Sequence, residues 1–163
     1  MSYKDSYEKR KLYGNNSESV FINYCNTNNI IYTSFGIEPF LEYYKIKYSD
    51  HKYKSLSNQL KKQPDYIIFS NNNFSFIECK SSGVDENKEY VLRIKEDDIN
   101  GYYYWNIFKP LYIFVTYNFN TESFFISLEN LILEMKRTKQ EVYQDNQLKY
   151  RTIYIKELIK HKL

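Results

Sequence analysis

Residues 64 to 80 read Pro64-Asp65-Tyr66-Ile67-Ile68-Phe69-Ser70-Asn71-Asn72-Asn73-Phe74-Ser75-Phe76-Ile77-Glu78-Cys79-Lys80. Two short runs rich in β-branched and aromatic residues, 65–69 and 74–80, flank a polar quartet whose asparagines suit a tight turn. The stretch is therefore expected to be a β-hairpin. Side chains two apart on a strand share a face, so Phe74, Phe76, Glu78 and Lys80 line one side while Ser75, Ile77 and Cys79 line the other. The hairpin also returns the chain so that Asp65, at the start of the first strand, comes near Glu78, at the end of the second.

Two carboxylates brought together on apolar strands repel each other and lose solvation unless a cation neutralises them. Carboxylate oxygens suit Mg²⁺ or Mn²⁺, and Mg²⁺ keeps several waters and takes phosphate oxygens among its ligands. Beside such an ion, Lys80 can orient a nucleophilic water or offset charge developing on phosphoryl oxygens. The chemistry expected of Asp65, Glu78 and Lys80 together is phosphodiester hydrolysis.

Pro64-Asp65, a short hydrophobic hairpin and then Glu78-Cys79-Lys80 resembles the signature of the PD-(D/E)xK nucleases, the restriction-endonuclease-like superfamily. The form Glu78-Cys79-Lys80-Ser81 is similar to that of archaeal-type Holliday junction resolvases. The resemblance implies a single α/β domain with a central mixed β-sheet flanked by helices. It implies a metal held by the side chains of Glu18, Asp65 and Glu78 and by the backbone carbonyl of Cys79, with Lys80 as the catalytic lysine. The implied cofactor is Mg²⁺ or Mn²⁺, and the implied partner is DNA ahead of RNA, with branched DNA as the first subtype. The chain departs from a compact resolvase in its long stretch before Pro64 and in the roughly 45 residues after Tyr117.

Working outward, residues 1–14 are polar, end at Gly14 and read as a loosely held arm before a domain over 15–163. Asn16 to Asn29 reads as a helix capped by Ser17, with Glu18, Phe21, Ile22 and Cys25 on one face. Glu18 is the charged member of that face, so it stands out without the resemblance; its bland alternative is a first-turn glutamate favouring the helix dipole. Ile30 to Phe35 reads as a strand. Residues 38–63 show no clean period and read as an insertion in which Lys54, Lys61 and Lys62 stand among tyrosines. That mixture suits a nucleic-acid backbone, and equally suits a wet exposed segment.

After a loop around Gly83, Lys95 is placed to contact phosphate. Glu96, Asp97 and Asp98 mark the start of a helix to about Phe108. Tyr102, Tyr103, Tyr104 and Trp105 differ in helical phase and cannot all be buried on one face. Leu111–Tyr117 and Ser123–Ser127 read as strands, Leu128–Arg137 as a helix, and Thr152–Ile155 as a last strand before a short helix. His51 and His161 have no metal-ligand spacing and receive no role.

At 163 residues the chain is the size of one ordinary domain. Its 19 Tyr and 11 Phe against 4 Gly and 3 Pro reflect A/T-rich codons, which inflate any aromatic signal for nucleic acid. A net charge of only +3 excludes a domain-wide basic coat, so DNA contacts must be local. The two cysteines form no CxxC pair and read as buried thiols. The start has no apolar signal segment and no run can span a bilayer, so a cytoplasmic protein without membrane contact is expected. A homodimer is expected if paired cuts are made. The rival classes are a nonhydrolytic nucleic-acid or protein-binding module with this fold and an RNA-cleaving nuclease.

Overall fold

The computed structural model describes residues 16–47, 50–142 and 148–163; the arm read over residues 1–14 lies outside them. The first described element is helix α1, residues 16–27. It already contains Ser17, which is buried and stands inside the helix after residue 16 rather than at its N-cap. Asn29 (φ 54°) adopts the left-handed conformation that asparagine tolerates after a helix, and the chain turns into β1 (Ile31–Ser34).

The expected hairpin forms between β2 (Tyr66–Ser70) and β3 (Asn73–Ser81), with Tyr66 opposite Ile77 and Asn71 and Asn72 at positive φ in the turn. β6 (Leu111–Tyr117) runs parallel to β3, with Glu78 opposite Ile113 and Lys80 opposite Val115. β7 (Glu122–Ser127) and β1 close the edges, both antiparallel to their neighbours. The result is a five-stranded mixed sheet in the order β1-β2-β3-β6-β7.

Alternation sorts the side chains of this sheet onto two faces. On one, Tyr66, Ile77, Cys79 and Phe114 pack against Phe21 and Cys25 of α1. Phe21 sits 4.8 Å from the Tyr66 ring and 5.3 Å from the Phe114 ring, centroid to centroid. On the other face, Phe76, Ile113, Val115, Phe124 and Ile126 meet the larger core. That core is completed by α5 (Glu96–Asn106), by α6 (Leu128–Arg137), which Ser127 caps at Asn130, and by α7 (Ile155–Leu158). β6 is buried along most of its length because both of its faces are covered.

A second sheet was not expected. Residues read as the Gly83 loop form β4 (Gly83–Val84) and β5 (Tyr90–Lys95), which join β8 (Gln140–Val142) and β9 (Lys149–Tyr154) in the order β4-β5-β9-β8. Val91, Leu92 and Ile94 of β5 are buried while Arg93 is exposed, so buried Val91 shares a face with exposed Arg93 and the two-residue period is broken. The last strand begins at Lys149 rather than Thr152, and Ile155 opens α7.

The insertion read over 38–63 contains three short helices, α2 (Glu38–Tyr43), α3 (His51–Lys54) and α4 (Asn58–Lys61). α4 is capped by Ser57 and tied to α5 where Trp105 Nε1 donates to the Gln59 carbonyl at 3.2 Å. Its following residue, Lys62, lies hard against Gly101 of α5: a Cβ on Gly101 would stand 2.4 Å from Lys62 Cβ. His161 Nε2 lies 2.8 Å from the buried carboxylate of Glu134, which Arg137 also pairs.

Candidate active site: an acidic pair and a lysine in a polar cleft

β2 starts at Tyr66, one residue after Asp65, whereas β3 continues past the paired Ile77. The edge of β3 beyond Ile77 therefore lacks a β2 backbone partner. Asp65 fills this gap: its Oδ2 accepts the Cys79 backbone N–H at 2.7 Å. A residue's N–H and carbonyl point to the same edge of a strand, so the Cys79 carbonyl opens on the Asp65 side as well. The Asp65 backbone carbonyl accepts from the N–H groups of Phe35 and Gly36 at 2.8 and 3.1 Å, which fixes the turn that presents its side chain.

On the face of β3 toward α5, Glu78 is 7% exposed. Its Oε1 accepts the Tyr102 hydroxyl at 2.7 Å and stands 2.7 Å from Lys80 Nζ. Lys80 Nζ also lies 5.6 Å from the centre of the Tyr102 ring, within reach of a cation–π attraction. Asp65, Glu78 and Lys80 share the floor of a cleft of about 220 Å³. Lys61, Lys62 and Gln63 form one wall, and Lys95, Asp98 and Tyr102 form the other. Asp98 and Tyr102, four apart, share one face of α5, and Lys95, the last residue of β5, immediately precedes that helix. Lys62 and Asp98 pair across it.

The electrostatics follow from burial and crowding. Burial first and the Glu78 charge second push the Asp65 carboxyl well above its ordinary range; Glu18 adds to this, while Lys80 and the Cys79 N–H oppose it. Burial works against a charged Lys80, but Glu78, with Tyr102, Asp98 and Asp65 behind it, more than offsets that and holds the ammonium protonated well above the usual lysine range. Burial and then Glu78 raise the Tyr102 phenol, so it remains a donor. Burial likewise raises Cys79.

The sequence-expected residues are brought together unequally. Asp65, Glu78, Lys80, Lys95, Lys61 and Lys62 all line the cleft. Glu18 sits on α1, across the sheet from Glu78, and its Oε2 accepts the Tyr66 hydroxyl at 3.1 Å. Its negative charge also raises the Asp65 carboxyl. Lys54 is exposed at the end of α3 and does not line the cleft; its carbonyl accepts from Lys61 Nζ at 2.9 Å.

Sequence reading missed Tyr102 and Asp98. Their signal was the four-residue spacing from Asp98 to Tyr102 immediately after Lys95.

Among the described residues no three His, Cys, Asp or Glu side chains meet as a closed metal cage. The donor set is instead two carboxylates and a backbone oxygen in a polar cleft, and Asp65 is crowded by another negative charge. An oxygen-preferring divalent ion that retains several waters fits such a set; a zinc or thiolate centre does not.

No protein-family model matches the chain, and no curated protein matches it in sequence. Solved structures do. A Holliday junction resolvase from the archaeal hyperthermophile Archaeoglobus fulgidus superposes with a TM-score of 0.50 at 11% identity, covering 92% of this chain and 89% of the resolvase. A nuclease from a fusselovirus gives a TM-score of 0.50 at 9% identity, covering 91% and 83%. The chain shares the α/β fold of these structures, a central mixed β-sheet flanked by helices. At such identities the likeness establishes the fold, and the residues of this chain's own cleft must carry any reading of its chemistry. Among the described residues no helix is long and apolar enough to cross a membrane.

Proposed function

We propose that the protein is an Mg²⁺- or Mn²⁺-dependent endonuclease that hydrolyses DNA phosphodiester bonds, with Asp65, Glu78 and Lys80 as its catalytic residues. The observation that carries the proposal is the meeting of these three side chains on the floor of one polar cleft walled by Lys61, Lys62 and Lys95. Asp65, Glu78 and the Cys79 carbonyl would hold the ion. When bound, it supplies positive charge at the scissile phosphate and lowers the pKa of a water. Lys80 orients that water or offsets charge on the phosphoryl oxygens. The lysines of the walls hold neighbouring phosphates and set the register of the strand. Glu18, whose Oε2 accepts from Tyr66, is proposed as the further ligand from α1, since a carboxylate can accept a hydrogen bond at one oxygen and ligate through the other.

Branched DNA is the first substrate subtype, since a structural neighbour is a Holliday junction resolvase. A homodimer follows if paired cuts are made on a two-fold substrate. The rival is a nonhydrolytic binding module, favoured by the direct pairing of Glu78 with Lys80.

The test is cleavage of labelled four-way junction, flap, duplex, single-stranded DNA and RNA with Mg²⁺ or Mn²⁺. Wild type would be compared with Asp65→Ala, Glu78→Ala and Lys80→Ala. Metal-dependent cutting of DNA that all three variants lose is expected. A folded, metal-replete wild type that cuts nothing would establish the binding module instead, and preferential cutting of RNA would reassign the substrate.

A further inference from the structure

Two donors converge on a single oxygen of Glu78. The Tyr102 hydroxyl and Lys80 Nζ each stand 2.7 Å from Oε1. They differ in freedom. Lys80 carries its charge on a four-carbon stem and must also serve the substrate phosphate in the proposed reaction. Tyr102 is 2% exposed, and its ring is part of the main core between α5 and the five-stranded sheet. Its hydroxyl is therefore a fixed point, set by the packing of a helix rather than by the rotamer of an exposed chain.

Resting on the nuclease reading of this cleft, we propose that Tyr102 is the positioning residue for Glu78. Its hydrogen bond commits Oε1 and stops rotation of the carboxylate, so that Oε2 is the oxygen offered to the divalent ion. A carboxylate has two oxygens and about four lone-pair sites, and an unrestrained one spreads metal and lysine over both. Outer donors of this kind orient metal ligands, and their loss typically weakens metal affinity by about 10–100-fold. The bond also remains when Lys80 turns toward phosphate, so Oε1 is not left as a buried unpaired anion.

A purely structural role for Tyr102 makes a different forecast. It would lower stability on removal of the hydroxyl and leave metal affinity untouched. Tyr102→Phe keeps the ring and the core volume, so the variant folds.

The experiment is calorimetric Mn²⁺ titration of wild type, Tyr102→Phe, Glu78→Ala and the double variant, with single-turnover cleavage alongside. Tyr103→Phe and Tyr104→Phe, whose rings are exposed, serve as controls. Mn²⁺ affinity is expected to fall about 10-fold or more in Tyr102→Phe, with metal-free DNA affinity unchanged. In the Glu78→Ala background Tyr102→Phe should have no further effect on the residual binding. Equal Mn²⁺ affinity and equal cleavage in wild type and Tyr102→Phe overturns the proposal, as does the same loss of affinity with Glu78 absent. A folded wild type that binds no Mn²⁺ overturns the cation reading itself, and the wild-type titration separates that failure from a failure of Tyr102 alone.

Discussion

The Cys79 backbone N–H donates to Oδ2 of Asp65 at 2.7 Å, although burial and the nearby Glu78 charge both drive the Asp65 carboxyl toward its protonated form. Asp65 is thus held where its charge is costly. Because its folded-state pKa is raised, its contribution to stability is complete below the unfolded value near 3.8 and is lost as pH rises through the folded value. In EDTA at neutral pH, Asp65→Asn keeps an acceptor for the Cys79 N–H and removes that cost. We expect it to be more stable than wild type by on the order of 1 kcal/mol, or about 2–4 °C in melting midpoint for a chain of this size. The gap should close as pH falls below 4. Thermal melts of both proteins across pH measure this, and a variant no more stable than wild type would refute it.

Mn²⁺ should reverse the order. An ion that binds only the folded state at 100 times its Kd adds about 2.7 kcal/mol, so the wild-type midpoint should rise by about 5–10 °C. Asp65→Asn and Glu78→Ala should show little or none of this shift. Melting with and without chelator is the measurement.

The lysines of the cleft walls should separate from Lys54. Lys62→Ala and Lys95→Ala are expected to weaken DNA binding across all sequences and to reduce the slope of log affinity against log salt by about 1 each. Lys54→Ala, outside the cleft, should leave both unchanged. Binding isotherms at several salt concentrations check this.

Glycine to alanine inside a helix ordinarily gains about 1 kcal/mol. At Gly101 the sign should reverse, because the added Cβ would meet Lys62 Cβ at 2.4 Å and Cγ at 2.9 Å. The loss is expected to be about 1–3 kcal/mol, with DNA affinity falling as the Lys61–Lys62 wall is pushed outward. Thermal melts and binding assays on Gly101→Ala report the two effects separately.

Cys25 and Cys79 are both buried, and burial alone raises Cys25 from 9.0 to about 11. Neither thiol should react with iodoacetamide at pH 8 in the native protein, and both should react in denaturant. The raised Cys25 value also means that its contribution to stability is full below pH 9 and lost as pH climbs toward about 11. Mass spectrometry of alkylated protein before and after unfolding decides the first point.

The hairpin that carries Asp65, Glu78 and Lys80 was legible because its pattern is local. Period-two alternation placed Glu78 with Lys80, and the asparagine turn brought Asp65 back to them. The second sheet was not legible, because β5 breaks its period by putting buried Val91 on the face of exposed Arg93, and it pairs with β9 roughly sixty residues later, Arg93 lying opposite Thr152. Tyr102 was hidden for a different reason. In a run of three tyrosines and a tryptophan only its phase relative to Asp98 marks it, and its partner Glu78 lies 24 positions away. Glu18 was correctly placed on the apolar face of α1, yet that face covers the side of the sheet opposite Glu78.

The parallel pairing of β3 with β6 has a consequence for when the cleft comes into being. Antiparallel β2 and β3 can zip together as soon as both have left the ribosome, but a parallel partner requires the whole crossover through β4, β5 and α5, and such non-local closure is slow. Tyr102 and Asp98 arrive only with that crossover. A nascent or truncated chain that ends before β6 therefore carries the complete hairpin motif without an assembled cleft, and any cutting power is withheld until synthesis has passed Tyr117.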